Sequence, residues 1–177
     1  MRKNLVMTVT GHDRIGIVEH VTRLILEYGG NVEASRMARL GGEFAILMLV
    51  SVPAKKFEDL RQGVRGLRDE GYKVTTRQTE RDHAAKYTGW MPYQVKVSGA
   101  DHEGIIHDLT QHLAERRINI ETMDTGMVRA PMSGTPLFTM TAVVVVPPDL
   151  PFHDWRDELV EVGDKSNVDI DVSPYTG

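Results

Sequence analysis

The fold is decided by one stretch, Gly11-His12-Asp13-Arg14-Ile15-Gly16-Ile17-Val18, which returns as Gly99-Ala100-Asp101-His102-Glu103-Gly104-Ile105-Ile106. The second copy begins 88 residues after the first. Each copy follows an apolar run typical of a strand and precedes an amphipathic run typical of a helix. The chain is therefore predicted to repeat one strand-loop-helix design, with glycines and an acid where the strand passes to the helix.

Length and repeat together predict two small domains rather than one large one. We expect the first domain at residues 1–78, a linker at 79–91 and the second domain at 92–177. The composition, 41% hydrophobic and 26% charged, is ordinary for a globular protein. Each domain is long enough to bury a modest core.

Apolar periodicity predicts the same βαββαβ order in both halves, and hence an α+β fold of two ferredoxin-like domains with antiparallel sheets. In the first half we expect strands at 3–10, 31–40, 43–52 and 72–77, a helix at 17–28 and a helix carrying Phe57, Leu60, Val64 and Leu67. In the second half we expect strands at 93–98, 119–129, 140–146 and 167–172, with helices at 105–116 and 153–162. An insertion of six residues around 130–134 lengthens the second hairpin.

The third strand of each half, 44–50 and 140–146, is largely apolar on both faces. The helices of a ferredoxin-like unit cover only one face of its sheet. The second face must then be covered by the other domain or by another chain. We therefore predict that the two domains pair within the chain and that the protein also self-associates as a homodimer or a higher assembly. The alternative is that a half-exposed sheet tolerates small alanine, threonine and valine side chains.

Charge and hydropathy exclude several classes of protein. The formal net charge of −4 argues against a surface built for nucleic acid, although Arg61, Arg65 and Arg68 share one helix face. Nearby acids favour a merely solvated face there, so direct contact with nucleic acid is not expected. No apolar run reaches the roughly 20 residues of a membrane span. A cytoplasmic location is the simplest interpretation, and the absence of cysteine excludes disulfides and thiolate metal sites.

The repeated motif resembles that of the ACT domain, a small ligand-sensing module. Its pattern is Gly-x-Asp-x-x-Gly-Ile, then a helix, then asparagine at the head of the second strand. The first copy has Gly11, Asp13, Gly16 and Asn31, and the second has Gly99, Asp101, Gly104 and Asn119. In layout the chain is similar to tandem ACT proteins of the glycine cleavage system transcriptional repressor type, which act through a partner transcription factor.

The resemblance implies binding of an amino acid or similar metabolite at a domain or subunit interface, beside the loop between strand one and helix one. Helix N-terminal N–H groups there would bind a carboxylate, Asp13 or Asp101 an ammonium group, and Asn31 or Asn119 a further polar atom. The implied ligand-binding residues are Gly11, His12, Asp13, Arg14, Gly16, Ile17, Asn31, Gly99, Asp101, Gly104, Ile105 and Asn119.

A purely structural interpretation of the motif stays open. Asp13 and Asp101 stand where a helix N-cap belongs, and Gly16 and Gly104 can serve tight packing of helix on sheet. The copies also differ, because Arg14 favours an anion whereas Glu103 does not. The sequence therefore favours the first copy as the carboxylate site and allows the second to be degenerate.

The sequence shows no catalytic or metal-binding constellation, so neither an enzyme, a cofactor nor a metal site is expected. Among the histidines and acidic residues around residue 107, only Asp108 and His112 are four residues apart on one helix face. The predicted function is a regulatory amino-acid binding protein that acts on a protein partner such as a transcription regulator. The alternatives are a ligand-independent protein interaction module and a DNA-binding regulator.

Overall fold

The computed structural model describes residues 1–79, 86–130 and 133–176. The chain divides into two compact units, an N-terminal unit (Met1–Lys86) and a C-terminal unit (Tyr87–Gly177). Each unit contains one antiparallel four-stranded sheet with helices on one face. The predicted α+β class and the repeated βαββαβ order are confirmed.

The strands of the N-terminal unit lie in the order β2-β3-β1-β4, so that β1 and β3 are central. Its elements are β1 (Arg2–His12), α1 (Ile17–Glu27), β2 (Asn31–Leu40), β3 (Glu43–Pro53), α2 (Phe57–Gly63) and β4 (Lys73–Thr79), with 3-10 turns at Ala54–Lys56 and Val64–Arg68. The core lies between the sheet and the helices, and its largest buried side chains include Phe57, Leu5 and Met7.

The C-terminal unit repeats this arrangement with the strand order β6-β7-β5-β8. Its elements are β5 (Met91–Ala100), α3 (Ile105–Glu115), β6 (Asn119–Arg129), β7 (Pro136–Val146), α4 (Phe152–Lys165) and β8 (Val168–Pro174). Trp155 fills the centre of its core. In the described part of the chain, no helix is long and apolar enough to cross a membrane.

Two predicted segments, the linker and the hairpin insertion, lie only partly within the described residues. Strand β4 continues to Thr79 and β5 begins at Met91, while residues 80–85 of the predicted linker lie outside the described residues. The hairpin insertion includes residues 131 and 132, which also lie outside them. The insertion itself is confirmed by pairing, because Gly11 lies opposite Phe44 and Gly99 lies opposite Phe138.

The second predicted helix is shorter than its apolar spacing indicates. Helix α2 ends at Gly63, and residues 64–68 form a 3-10 turn that still buries Val64 and Leu67. Gly63 and Gly66 lower the helix propensity of this segment. Gly63 also allows close approach, since a Cβ there would collide with the hydroxyl of Tyr28, the C-cap residue of α1.

Burial along the third strands alternates, although their sequences are apolar on both faces. In β3, Phe44, Ile46 and Met48 are buried against the helices, whereas Leu47 on the other face is 48% exposed. The helix-free surface of each sheet is called its open face below. The side chains of paired strands share a face, so the pairing register defines both open faces residue by residue.

Candidate functional site

The two β-to-α loops end in the same backbone conformation. Gly16 precedes α1 with φ of 89°, and Gly104 precedes α3 with φ of 96°; both are the N-caps of their helices. Neither helix receives a side-chain cap hydrogen bond. The interpretation of Asp13 and Asp101 as N-caps is therefore wrong. A left-handed glycine takes the cap position, and no side chain accepts from the first-turn N–H groups, of which the Ile17 N–H donates to the Arg14 carbonyl over 3.4 Å.

The four motif glycines serve two different purposes. A Cβ on Gly16 would meet no atom within 4 Å, and one on Gly104 would meet only Asp108 Oδ2 at 3.9 Å, so tight packing does not explain these two. A Cβ on Gly11 would lie 2.7 Å from the Tyr72 ring, and one on Gly99 would lie 2.5 Å from the Asn167 carbonyl oxygen. The first glycine of each motif lets its strand pack closely against the residues that lead into the last strand of the unit. The second glycine allows the left-handed turn before the helix and leaves open space beside it.

Asp13 and His12 lie beside the β2–β3 hairpin of the N-terminal unit. The Asp13 N–H donates to the Gly42 carbonyl over 3.0 Å, and Asp13 Oδ2 lies 3.5 Å from Arg39 Nη1. His12 Nδ1 lies 2.7 Å from Glu43 Oε1. The Asp13 side chain is 32% exposed and its arginine partner 71% exposed, so the carboxylate is held in place while remaining open to solvent.

Arg14 contacts the turn before β4. Its guanidinium donates to the Glu70 carboxylate and lies 5.1 Å from the centre of the Tyr72 ring, whose hydroxyl donates to the His12 carbonyl over 3.2 Å. The hydrogen bond raises the pKa of Arg14 and lowers the pKa of Glu70. Arg14 thus ties its loop to the turn, and a ligand carboxylate at Arg14 would compete with Glu70.

His102 occupies the position equivalent to Arg14 and makes the equivalent tie in the C-terminal unit. Its Nδ1 lies 2.9 Å from the Glu103 carbonyl oxygen, and its Nε2 lies 2.6 Å from the carbonyl oxygen of Ser166, just before β8. A carbonyl oxygen only accepts, so both ring nitrogens must donate to satisfy both contacts. That arrangement is complete only in the imidazolium form. In each unit, therefore, this side chain clamps its loop to the segment just before the last strand.

The His102 clamp is expected to weaken as pH rises. The hydrogen bonds to Glu103 and then Ser166 raise the pKa of His102 above its ordinary 6.5, with help from Asp101 and Asp108. The stabilisation is then complete below pH 6.5 and is lost as pH rises through the higher folded-state pKa. We expect NMR titration to give a pKa above 6.5, and His102→Gln to lower the melting temperature more at pH 5.5 than at pH 8.5. Equal losses at both pH values would contradict this.

Asn31 and Asn119 lie at the far end of their sheets from the loops. Asn31 is level with Ser51 and Asn4, whereas the loop follows Gly11 on the same central strand, about 23 Å away along β1. Asn119 is displaced from Gly99 in the same manner. Within one unit, the structure does not bring the asparagine and the loop together.

Each asparagine instead starts a strand that carries a bulge. The Asn31 amide donates to Glu33 Oε1 over 3.2 Å, and the Asn119 amide donates to Glu121 Oε1 over 2.7 Å. Both glutamates stand where the pairing register shifts. Glu33 also accepts from the buried Ser51 hydroxyl. The repeated Asn-x-Glu spacing was a signal available in the sequence, but its meaning depends on the bulge.

Other predicted positions have structural roles. Ile17 and Ile105 are core residues, each 2% exposed, so their side chains do not face a ligand. Arg61 lies 3.2 Å from the Glu58 carboxylate, and Arg68 donates to the Val74 carbonyl over 3.0 Å. Two of the three helix-face arginines are thus engaged within their own unit. Across residues 1–79, 86–130 and 133–176, no three acidic, histidine or cysteine side chains are grouped to hold a metal ion.

Comparison with known proteins identifies the fold family. The family model for the ACT domain matches residues 3–74. The crystal structure of an unknown protein from Galdieria sulphuraria is 30% identical in sequence, with 99% of this chain and 100% of that chain covered and a TM-score of 0.83. Residues 3–74 therefore form an ACT domain. The C-terminal unit repeats the motif and strand order of the matched ACT domain, giving a tandem ACT protein.

Two further relatives carry a regulatory name. The glycine cleavage system transcriptional repressor of Escherichia coli (strain K12) is 51% identical over 47 residues, which are 27% of this chain and 25% of the relative. The matched segment thus spans about a quarter of that repressor. The second is the crystal structure of a protein that is predicted to be a glycine cleavage system transcriptional repressor. The match covers 100% of this chain and 99% of that chain, with 21% sequence identity and a TM-score of 0.70. The second likeness shows the tandem ACT fold.

Proposed function

We propose that this tandem ACT protein is a cytoplasmic regulator that binds an amino acid or similar metabolite and acts on a protein partner, such as a transcription regulator, rather than by catalysis. The observation that carries the proposal is the uncapped start of α1 beside Asp13, with open space around Gly16. N–H groups at a helix N-terminus that no side chain caps favour a carboxylate, and the aspartate favours an ammonium group. An amino acid offers both charges at a short separation. The similarity to a transcriptional repressor supports the regulatory role.

In the proposed site, the backbone rather than Arg14 binds the carboxylate. Arg14 is engaged by Glu70 and Tyr72 and holds the loop in place, which spares the ligand the cost of ordering it. The N–H groups of the first turn of α1 supply the donors. Asp13, already positioned by Gly42, supplies the acceptor for the ammonium group.

The second wall of the proposed site comes from a different ACT domain. Asn31 is about 23 Å along the sheet from the loop of its own unit. A ligand that contacts both a loop and an asparagine therefore needs two ACT domains, and its binding stabilises their association. A regulator of this kind works through differential affinity of the ligand for the associated and separated arrangements.

The test is a thermal-shift panel of the twenty amino acids at millimolar concentration. A ligand present at 100 times its Kd stabilises the folded state by about 2.7 kcal/mol, which raises the melting temperature by several degrees. We expect at least one amino acid to do so. Asp13→Asn should abolish the shift if the N-terminal loop binds, and Asp101→Asn if the C-terminal loop binds. Asn31→Ala or Asn119→Ala should weaken binding although each residue is remote from its own loop.

Asp59→Asn is the matched control, because Asp59 lies on α2, where it accepts from Lys56, and belongs to neither motif loop. It should leave the shift unchanged. If no amino acid raises the melting temperature, the sensing proposal fails and the ligand-independent interaction module becomes the better interpretation. If a shift appears but survives both aspartate variants, the ligand binds elsewhere.

A further inference from the structure

The open face of the N-terminal unit is basic around an apolar centre. Its central positions are Ala45 and Leu47 of β3, with Val6 and Thr8 of β1 beside them. Exposed cations on the flanking strands complete the face, namely Arg36, Lys73 and Arg77. Arg2, Glu33 and Glu43 lie at its ends. The acids thus stand only at the two ends of the face.

The open face of the C-terminal unit is acidic around a threonine-rich centre. Thr139, Thr141 and Val143 of β7 form its middle. Exposed acids lie on the two outer strands, with Asp124 on β6 and Asp169 and Asp171 on β8. Lys96 lies on β5 between these strands, and Glu121 lies at one end of the face. A shallow groove of about 450 Å³ runs over this face and is lined by Lys96, Ser98, Thr139, Asp169 and Asp171 among others. A groove bordered by two aspartates suits a basic side chain.

The charges reverse at structurally equivalent positions of the two units. Arg36 lies opposite Leu47 in β3, and Asp124 lies opposite Thr141 at the corresponding place in β7. Lys73 lies opposite Thr10 of β1, and Asp169 lies opposite Ser98, the matching residue of β5. Two copies of one fold thus present the same surface with opposite sign. Opposite potentials on faces of the same shape favour pairing of unlike faces and disfavour pairing of like faces.

We propose that the basic open face of one copy docks on the acidic open face of a second copy of this chain, and the reverse, in a two-fold dimer. Four strands about 4.8 Å apart and about seven residues long give each face roughly 440 Å². One such contact is about half of the 800 Å² per partner typical of a stable interface, whereas two contacts related by a two-fold axis reach it. The apolar centre of the basic face and the threonine-rich centre of the acidic face supply the buried core, and the charges determine which faces pair.

The test exchanges residues between the equivalent positions. Variant one carries Arg36→Asp and Lys73→Asp, so both of its faces are acidic. Variant two carries Asp124→Arg and Asp169→Lys, so both of its faces are basic. In sedimentation velocity at micromolar concentration, we expect the unmodified chain to be a dimer and each variant alone to weaken dimerisation at least tenfold. An equimolar mixture of the variants should recover a dimer, because each acidic face then meets a basic one.

Recovery in the mixture separates this interface from other arrangements. Lys55→Asp with Arg65→Asp changes the net charge as much as variant one does, on exposed residues of the helix side, and should remain dimeric. Circular dichroism checks folding, and Arg36→Gln with Lys73→Gln replaces variant one if it unfolds. A monomeric unmodified chain, dimeric single variants or a mixture that stays monomeric would each overturn the proposal. The proposal does not depend on ligand binding, so a negative amino-acid panel leaves it standing.

Discussion

Replacing Trp155 by alanine is expected to lower the free energy of unfolding of the C-terminal unit by about 3–5 kcal/mol, the usual cost of deleting a large core aromatic. Trp155 is 0% exposed, and its ring lies 5.4 Å from Tyr93 and 5.8 Å from Phe152 in edge-on geometry. The substitution removes these contacts and leaves a cavity where α4 meets the sheet. Urea denaturation followed by circular dichroism measures the change.

Two variants sharpen this expectation. Trp155→Phe should cost clearly less than the alanine change, because it keeps most of the ring and removes a buried Nε1–H that has no hydrogen-bond partner among the described residues. Trp90→Ala deletes the same side chain where it is only half-buried and should also cost less. If both tryptophan-to-alanine changes had equal effects, Trp155 would not be the centre of its core.

Replacing Gly99 by alanine is expected to cost about 1–3 kcal/mol through overpacking against backbone. The added Cβ would lie 2.5 Å from the Asn167 carbonyl oxygen and 2.7 Å from the Val168 Cα, and no side-chain rotation relieves either contact. The start of β8 must move away from β5. Because Ser166 belongs to the same segment and accepts from His102, the pKa of His102 should fall toward its ordinary value in this variant.

Gly126→Ala is the matched control on β6 of the same sheet. A Cβ there would meet only the Thr139 hydroxyl oxygen, at an ordinary 3.7 Å. Alanine in a strand loses less backbone entropy than glycine, so this change should be neutral or stabilise by up to about 1 kcal/mol. Thermal denaturation and an NMR titration of His102 give both readouts. A Gly99→Ala protein as stable as Gly126→Ala would show that the β5–β8 approach is not tight.

The loop clamps suggest why the motif position after the aspartate differs between the units. Arg14 and His102 perform the same mechanical task, since each holds its loop against the segment before the last strand. The arginine stays charged at every physiological pH, whereas the histidine, whose pKa its carbonyl partners raise above 6.5, loses its proton as pH rises further. The two loops therefore respond differently to pH.

The sequence alone was sufficient to predict the repeat, the βαββαβ order and most element boundaries. Those features depend on local signals that are readable along the chain: apolar periodicity, the strand-ending prolines and Gly41-Gly42, whose φ values of 58° and 84° match a tight hairpin turn. The six-residue insertion was also predictable, because Phe44 and Phe138 keep their partners. The second helix was only partly predictable, since apolar spacing does not register the glycines that shorten it.

The tertiary structure alone decided what the motif residues do. The sequence by itself determined that Gly11, Asp13, Gly16 and Arg14 stand together between strand and helix. It did not reveal that a left-handed glycine replaces an aspartate as the cap, or that Glu70 already neutralises Arg14, because Glu70 is 56 residues away along the chain. It also placed Asn31 in the same predicted site, whereas antiparallel pairing puts that residue at the opposite end of the sheet. Proximity across a sheet follows from strand order and register, which no local pattern in the sequence encodes.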